Sequence, residues 1–215
     1  LIITAATRCF AEDNVTLDVK NRWTNDNLNT EGTYNVTLMN RSFVADEWDI
    51  ICFPFSVDEN GMNSVFGDDF VLCEPSGVAN NTFKFTSLTT SRSITAGKPY
   101  LIKSKNTISN PVFNNVQSKS INWNGETNYV NGDFKFIGLV FTRNYSQNND
   151  ASQGIITNSR TAYSMNGHGV LSTITQNSGT MIATKGFFCI EQSNYTENMK
   201  VSVDRNLLTS SSTRR

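Results

Sequence analysis

Apolar residues in this chain recur at every second position, and that period decides the fold class. Val15, Leu17 and Val19 alternate with Thr16, Asp18 and Lys20; Val36 and Leu38 alternate with Asn35 and Thr37; Phe83 and Phe85 flank Lys84; Val201 and Val203 flank Ser202. A strand sends successive side chains to opposite faces, so each run reads as a half-buried strand with one wet face. Other runs are apolar on both faces: Ile50 to Phe55, Tyr100 to Ile102, Phe136 to Phe141 and Phe187 to Ile190. These fit central strands packed on two sides. No long stretch carries an apolar stripe at helical spacing. The best candidate, Asp58 to Phe66, contains Gly61, and a turn or two of helix is expected there.

Turn chemistry sharpens this. Asn-Gly pairs at Asn60-Gly61, Asn124-Gly125, Asn131-Gly132 and Asn166-Gly167 supply the positive φ angles that tight hairpins require. The expected fold is therefore all-β: a single antiparallel β-sandwich, jelly-roll-like and hairpin-rich, with little helix. Residues 1–32 read as an N-terminal strand pair and polar loop, 33–204 as the sandwich module, and 205–215 as a flexible Ser/Thr-rich tail or linker. In Ile51-Cys52-Phe53-Pro54-Phe55 the proline lacks a donor, which places its strand at an edge or bulge. Trp48, Phe53 and Phe55 are expected at the centre of the core.

At 215 residues the chain is long enough to bury a core without covalent staples. Its formal net charge is −1, with 18 Lys+Arg against 19 Asp+Glu, and the only basic doublet near an end is Arg214-Arg215. Nucleic acid, which demands a positive face, is excluded as a partner. Charged residues make up only 17%, while Asn, Thr and Ser fill the polar positions, a habit of secreted β-proteins. Cys9, Cys52, Cys73 and Cys189 are too scattered for a disulfide scaffold and read as reduced, structural thiols; Cys52 with Cys73 is the pairing to check. No apolar run is long enough to span a bilayer. The chain opens at Leu1 without a signal-peptide pattern, so it is expected to be a trimmed piece of a longer protein.

Several segments follow one another in a recognisable order: Asn35-Val36-Thr37-Leu38 with Arg41-Ser42-Phe43, Glu47-Trp48 through Phe53-Pro54-Phe55, Ala96-Gly97-Lys98-Pro99-Tyr100-Leu101-Ile102, Phe136-Ile137-Gly138, and Lys185-Gly186-Phe187-Phe188. Over about residues 33 to 204 the chain resembles a β-rich module that recurs in large secreted and cell-surface proteins of Bacteroides, Prevotella and their relatives, often beside leucine-rich repeats or immunoglobulin-like domains. The resemblance implies an extracellular, adhesin-like or structural module with no catalytic residues to carry over. Cys52-Phe53 stands where the pattern has Cys-Leu, and Phe187-Phe188 where it has an Arg-Ala-Tyr-Phe-like run; both changes keep apolar bulk.

Chemistry-bearing motifs are sparse. His168, the only histidine, lies between Gly167 and Gly169 and reads as a turn residue; no Gly-x-Ser-x-Gly elbow accompanies it. The carboxylates of Asp46/Glu47/Asp49, Asp58/Glu59 and Asp68/Asp69/Glu74 read as strand-end loops, and Asn25-Asp26-Asn27-Leu28-Asn29 lacks the glycine and terminal glutamate of a calcium loop. Gly97-Lys98 has no phosphate-loop context. No catalytic residue, metal site or cofactor is expected. What remains is aromatic: Trp23, Trp123, Tyr129, Tyr145, Tyr163 and Tyr195 lie among Asn, Thr and Gly, where rings stack on sugars. Trp123 and Tyr129, either side of Asn124-Gly125, are the candidate stacking pair. The expected function is a non-enzymatic extracellular module of a larger bacterial surface or secreted protein, adhesive or structural. Its partners would be a glycan or surface protein ligand and neighbouring domains of a longer chain. The alternatives are a carbohydrate-binding module, or a subunit of an appendage or virion fibre assembling through its edges.

Overall fold

The computed structural model describes residues 13–21, 32–118, 126–140, 142–146, 161–174, 178–191 and 198–204. Among them run β1 (Asp13–Asp18), β2 (Gly32–Met39), β3 (Ser42–Phe43), β4 (Trp48–Ile51), helix α1 (Glu59–Phe66), β5 (Val71–Ala79), β6 (Thr82–Ser87), β7 (Tyr100–Lys103), β8 (Ile108–Ser109) and β9 (Val112–Ser118). There follow β10 (Glu126–Asn131), β11 (Phe134–Leu139), β12 (Arg143–Ser146), β13 (Thr161–Met165), β14 (Leu171–Thr173), β15 (Ser178–Met181), β16 (Gly186–Ile190) and β17 (Lys200–Asp204). The described residues are all-β with one short helix, as the period of two requires.

Two five-stranded sheets dominate, in the orders β17-β6-β5-β7-β4 and β10-β11-β16-β13-β14. They face each other through a core of phenylalanines that the alternation selects: Phe83 and Phe85 from the first sheet meet Phe136 and Phe188 from the second. Phe188 stacks on Phe136 at 4.7 Å between centroids and 17° between planes, and Phe83 approaches Phe188 at 4.7 Å. The intervening residues of these strands serve other cores. Ile137, Phe187 and Cys189 cluster with Ala162 and Leu139 on the far side of the second sheet. Ile51, Leu72 and Ile102 of the first sheet join Leu17, Val36, Leu38 and Phe113 of the three-stranded sheet β1-β2-β9, together with Met62 and Phe66 of α1. Strands apolar on both faces are thus those with a core on each side.

The expected single antiparallel, jelly-roll-like sandwich is corrected in two respects. Parallel pairs occur, β1 with β2 and β17 with β6. A jelly roll also passes successive strands between its sheets, whereas here β4 to β7 all enter the first sheet and the second is drawn from the block β10 to β16. The third sheet and α1 add a further layer, because the first sheet's outer face is itself apolar.

Local chemistry explains the element ends. Asp58 caps α1, its carboxylate accepting from Gly61 N at 2.8 Å. Asn60-Gly61, expected as a hairpin turn, therefore lies in the first helical turn, and Gly61 is needed for space: a Cβ there would stand 2.7 Å from Val57 Cγ1. Asn131-Gly132 does turn the β10–β11 hairpin, with Gly132 at φ 59°. β4 is a sheet edge and ends before Pro54, and Pro75 sits at a register shift in β5, so both prolines avoid a lost ladder bond. Gly97, at φ 74°, donates to Phe53 O at 2.7 Å and leads through buried Pro99 into β7.

Cys52, Cys73 and Cys189 are buried and form no disulfide. Cys52 belongs to the helix-side core and Cys73 to the inter-sheet core, so the pairing to check is not formed. Desolvation pushes the Cys73 thiol up to about 11, against a smaller opposing pull from its contact with Ser87 at 3.4 Å. An unfolded thiol ionises near pH ~8.5. Below that pH both states are protonated and Cys73 contributes nothing. As pH rises from there towards 11 only the unfolded state ionises, so stability falls. We expect Cys73 to resist iodoacetamide at pH 8 in native protein and to react at once in urea, read by peptide mass; equal native and denatured rates would contradict its burial.

Candidate functional site

Pairing register builds the most distinctive site. In β4, Trp48 lies opposite Lys103 of β7, and Lys103 in turn opposite Val71 of β5. Two residues further in, Ile50, Leu101 and Cys73 form the matching row inside the inter-sheet core. The Trp48 row stands at the end of the first sheet, where Trp48 and Val71 are partly buried against that core. The β13–β14 turn closes over it from the other sheet. Asn166 organises that turn, its Oδ1 accepting from His168 N and Val170 N, both at 3.0 Å. Gly167 O accepts from Trp48 N at 2.7 Å, which fixes the start of β4 beneath the turn.

The result is a cleft of about 590 Å³. Its floor is Trp48, Leu101 and Val71, one wall is Val201 and Val203 of β17, and its polar groups are Lys103, Lys105, Asp69 and His168. Polar and apolar surface share its lining about equally, a mixture that suits a sugar, and this volume fits one or two sugar rings. Lys103 holds its ammonium 5.8 Å from the Trp48 ring centroid. Lys105 is tied to Asp46 at 2.6 Å, and that hydrogen bond is the main cause holding Lys105 above the usual ammonium range; Asp69 adds a smaller push the same way. The same bond holds Asp46 below the usual carboxylate range.

The expectations about individual aromatics divide. Phe53 and Phe55 are buried as expected, but Trp48 is only partly buried and lines the cleft, because it starts an edge strand at the sheet's end. Tyr163 is 4% exposed and packs in the inter-sheet core, so it is no surface stacking residue. Trp123, Trp23 and Tyr195 lie outside the described residues. Of Tyr129 and Tyr145 the backbone alone is described, Tyr129 paired with Phe136 and Tyr145 with Gly179. His168 does occupy a turn, as expected, yet the turn places it at the cleft rim. Sequence reading missed the Trp48–Lys103 pair; the one available signal was that both residues bound apolar runs, at the start of one and the end of the other.

A second polar cluster lies on the opposite side of β4. Arg41 is 2% exposed and donates to Asp49 Oδ2 at 2.7 Å and to Ile50 O at 3.0 Å, with its guanidinium 4.2 Å from the Phe43 centroid. Lys185 approaches Asp49 at 3.6 Å. Burial pushes its ammonium below the usual range, and Asp49 pulls it back up. This cluster reads as a strut between β4 and the entry to β16. Among the described residues no group of His, Cys, Asp and Glu side chains converges as a metal ion needs, and no described helix is long and apolar enough to cross a membrane.

Comparison with protein-family models, with curated proteins and with solved structures yields no match.

Proposed function

We propose that this chain is a non-enzymatic, extracellular recognition module of a larger bacterial surface or secreted protein, and that it adheres by holding a glycan in the Trp48 cleft. The observation that carries this reading is the partly exposed indole of Trp48 on the floor of a cleft about 590 Å³ in size, with hydroxyl-binding groups at its rim. An indole face covers the apolar face of a pyranose, while Asp69 and His168 offer an acceptor and a donor to its hydroxyls. What supports the surface location is the low charge and the Asn/Thr/Ser-rich composition, together with the resemblance of the motif order to Bacteroidales surface modules.

A glycan array probed with the whole chain, beside a Trp48→Ala variant, tests this. Binding should weaken about tenfold or more in the variant, as loss of a stacking ring removes roughly 1–2 kcal/mol. Melting should fall by less than for a fully buried aromatic, since Trp48 is only partly buried. A Trp48→Ala protein that binds the same glycans as strongly would move the site elsewhere, with Trp123 and Tyr129 the next to change.

A further inference from the structure

Lys103 differs from the lysines around it. Lys98 is paired with Glu74, Lys105 with Asp46 and Lys135 with Glu191, each at 2.6 Å. Among the described residues Lys103 is in direct ion-pair contact with no carboxylate: Asp46 is near enough to feel its charge but is bonded to Lys105, and the Lys103 ammonium lies instead over the Trp48 ring. It is also the more enclosed of the two cleft lysines, half-buried on a central strand between β4 and β5, whereas Lys105 is exposed. A half-buried ammonium with no direct carboxylate contact has hydrogen-bonding capacity to spare, and an anion arriving at that spot supplies a direct partner and excludes water. The register that sets Lys103 beside Trp48 means that a group carried on a ring lying over the indole falls within reach of the ammonium. A bare inorganic anion would use Lys103 but leave the indole uncovered, and a neutral sugar would do the reverse.

We infer that the ligand of this cleft is a glycan bearing a carboxylated sugar, with Lys103 holding the carboxylate and Trp48 the ring face. This rests on the glycan-binding reading above and narrows it. Asp69, which also lines the cleft, is left to accept from hydroxyls and disfavours a ligand carrying more than one negative charge, so one carboxylate per bound ring is the chemistry that fits. Lys105, already neutralised by Asp46, contributes little.

The test pairs an array of neutral, carboxylated and sulfated glycans with titration of oligogalacturonate and its methyl ester, which share a ring and differ in the carboxylate charge and one methyl group. Wild-type protein should bind carboxylated glycans, lose about tenfold or more in affinity for the ester, and weaken as sodium chloride is raised to about 0.5 M. Lys103→Gln should erase the difference between acid and ester, and Lys103→Arg should restore it. Lys103→Gln is expected to melt within a few degrees of wild type, and the arginine variant separates lost charge from lost fold. Equal binding of acid and ester, or an array on which only neutral or only sulfated glycans bind, overturns the carboxylate assignment and leaves glycan recognition standing. Absence of binding to any glycan overturns both.

Discussion

Phe188→Ala is expected to destabilise the protein by about 3–5 kcal/mol, the range for deleting a ring from a packed core that relaxes only in part. No other side chain described touches so many of the rings that join the two large sheets: Phe136 and Phe83 each at 4.7 Å and Phe85 at 6.1 Å. The loss combines transfer of the ring to water with a cavity walled by three aromatic groups that belong to two sheets and cannot all close inward. In a chain of this size the melting midpoint should drop by about 10 °C. Phe188→Leu, which refills most of the space, should cost less than half as much. Lys84→Ala, on the wet face of β6, should stay within about 0.5 kcal/mol. Urea unfolding of the three variants decides the matter: a loss under 1 kcal/mol for Phe188→Ala would mean that the sheets do not meet through this ring.

Arg41→Met should cost about 3 kcal/mol, for a different reason. The side chain that replaces it is apolar and of similar length, so little packing is lost. What is lost is the part-buried ion pair to Asp49 and the buried donor to Ile50 O, the second in a region where water does not replace it. Breaking a buried pair by removing one partner is costly because the other charge is left behind. Lys185, at 3.6 Å from Asp49, softens the effect and sets our figure at the lower end. Adding Asp49→Asn to Arg41→Met should recover part of the stability by removing the stranded charge. Two single losses that simply add would show that Arg41 acts through packing alone.

Much of the fold is written locally. Alternation at Phe83/Phe85 and Val201/Val203 gave faces that the structure keeps, and the two-sided apolar runs at Ile50 to Phe55 and Phe187 to Ile190 lie where a core sits on each side. At Asn60-Gly61 the helix expected over Asp58 to Phe66 prevails over the hairpin turn, because Asp58, two residues earlier, caps it. The parallel pairs and the third sheet were not legible, since register between strands remote in sequence is set by which faces remain uncovered after the local hairpins form. The cleft was hidden for the same reason. Trp48 belongs to an apolar run and was assigned to the core; only its pairing with Lys103 at the sheet's end, and the β13–β14 turn above it, leave it partly open.

The pairing of β17 with β6 has a consequence for how the protein is made. Phe83 and Phe85 lie in the first half of the chain, while Val201 and Val203, which flank them on the sheet, and Phe188, which covers them, come near its end. At ribosomal rates the interval between the two is on the order of ten seconds. Throughout that time β6 has emerged with an unpaired edge and two uncovered rings, an invitation to chaperones or to another nascent chain. Native contacts this distant in sequence also place the domain among slow folders, on the scale of milliseconds to seconds even for the full-length chain.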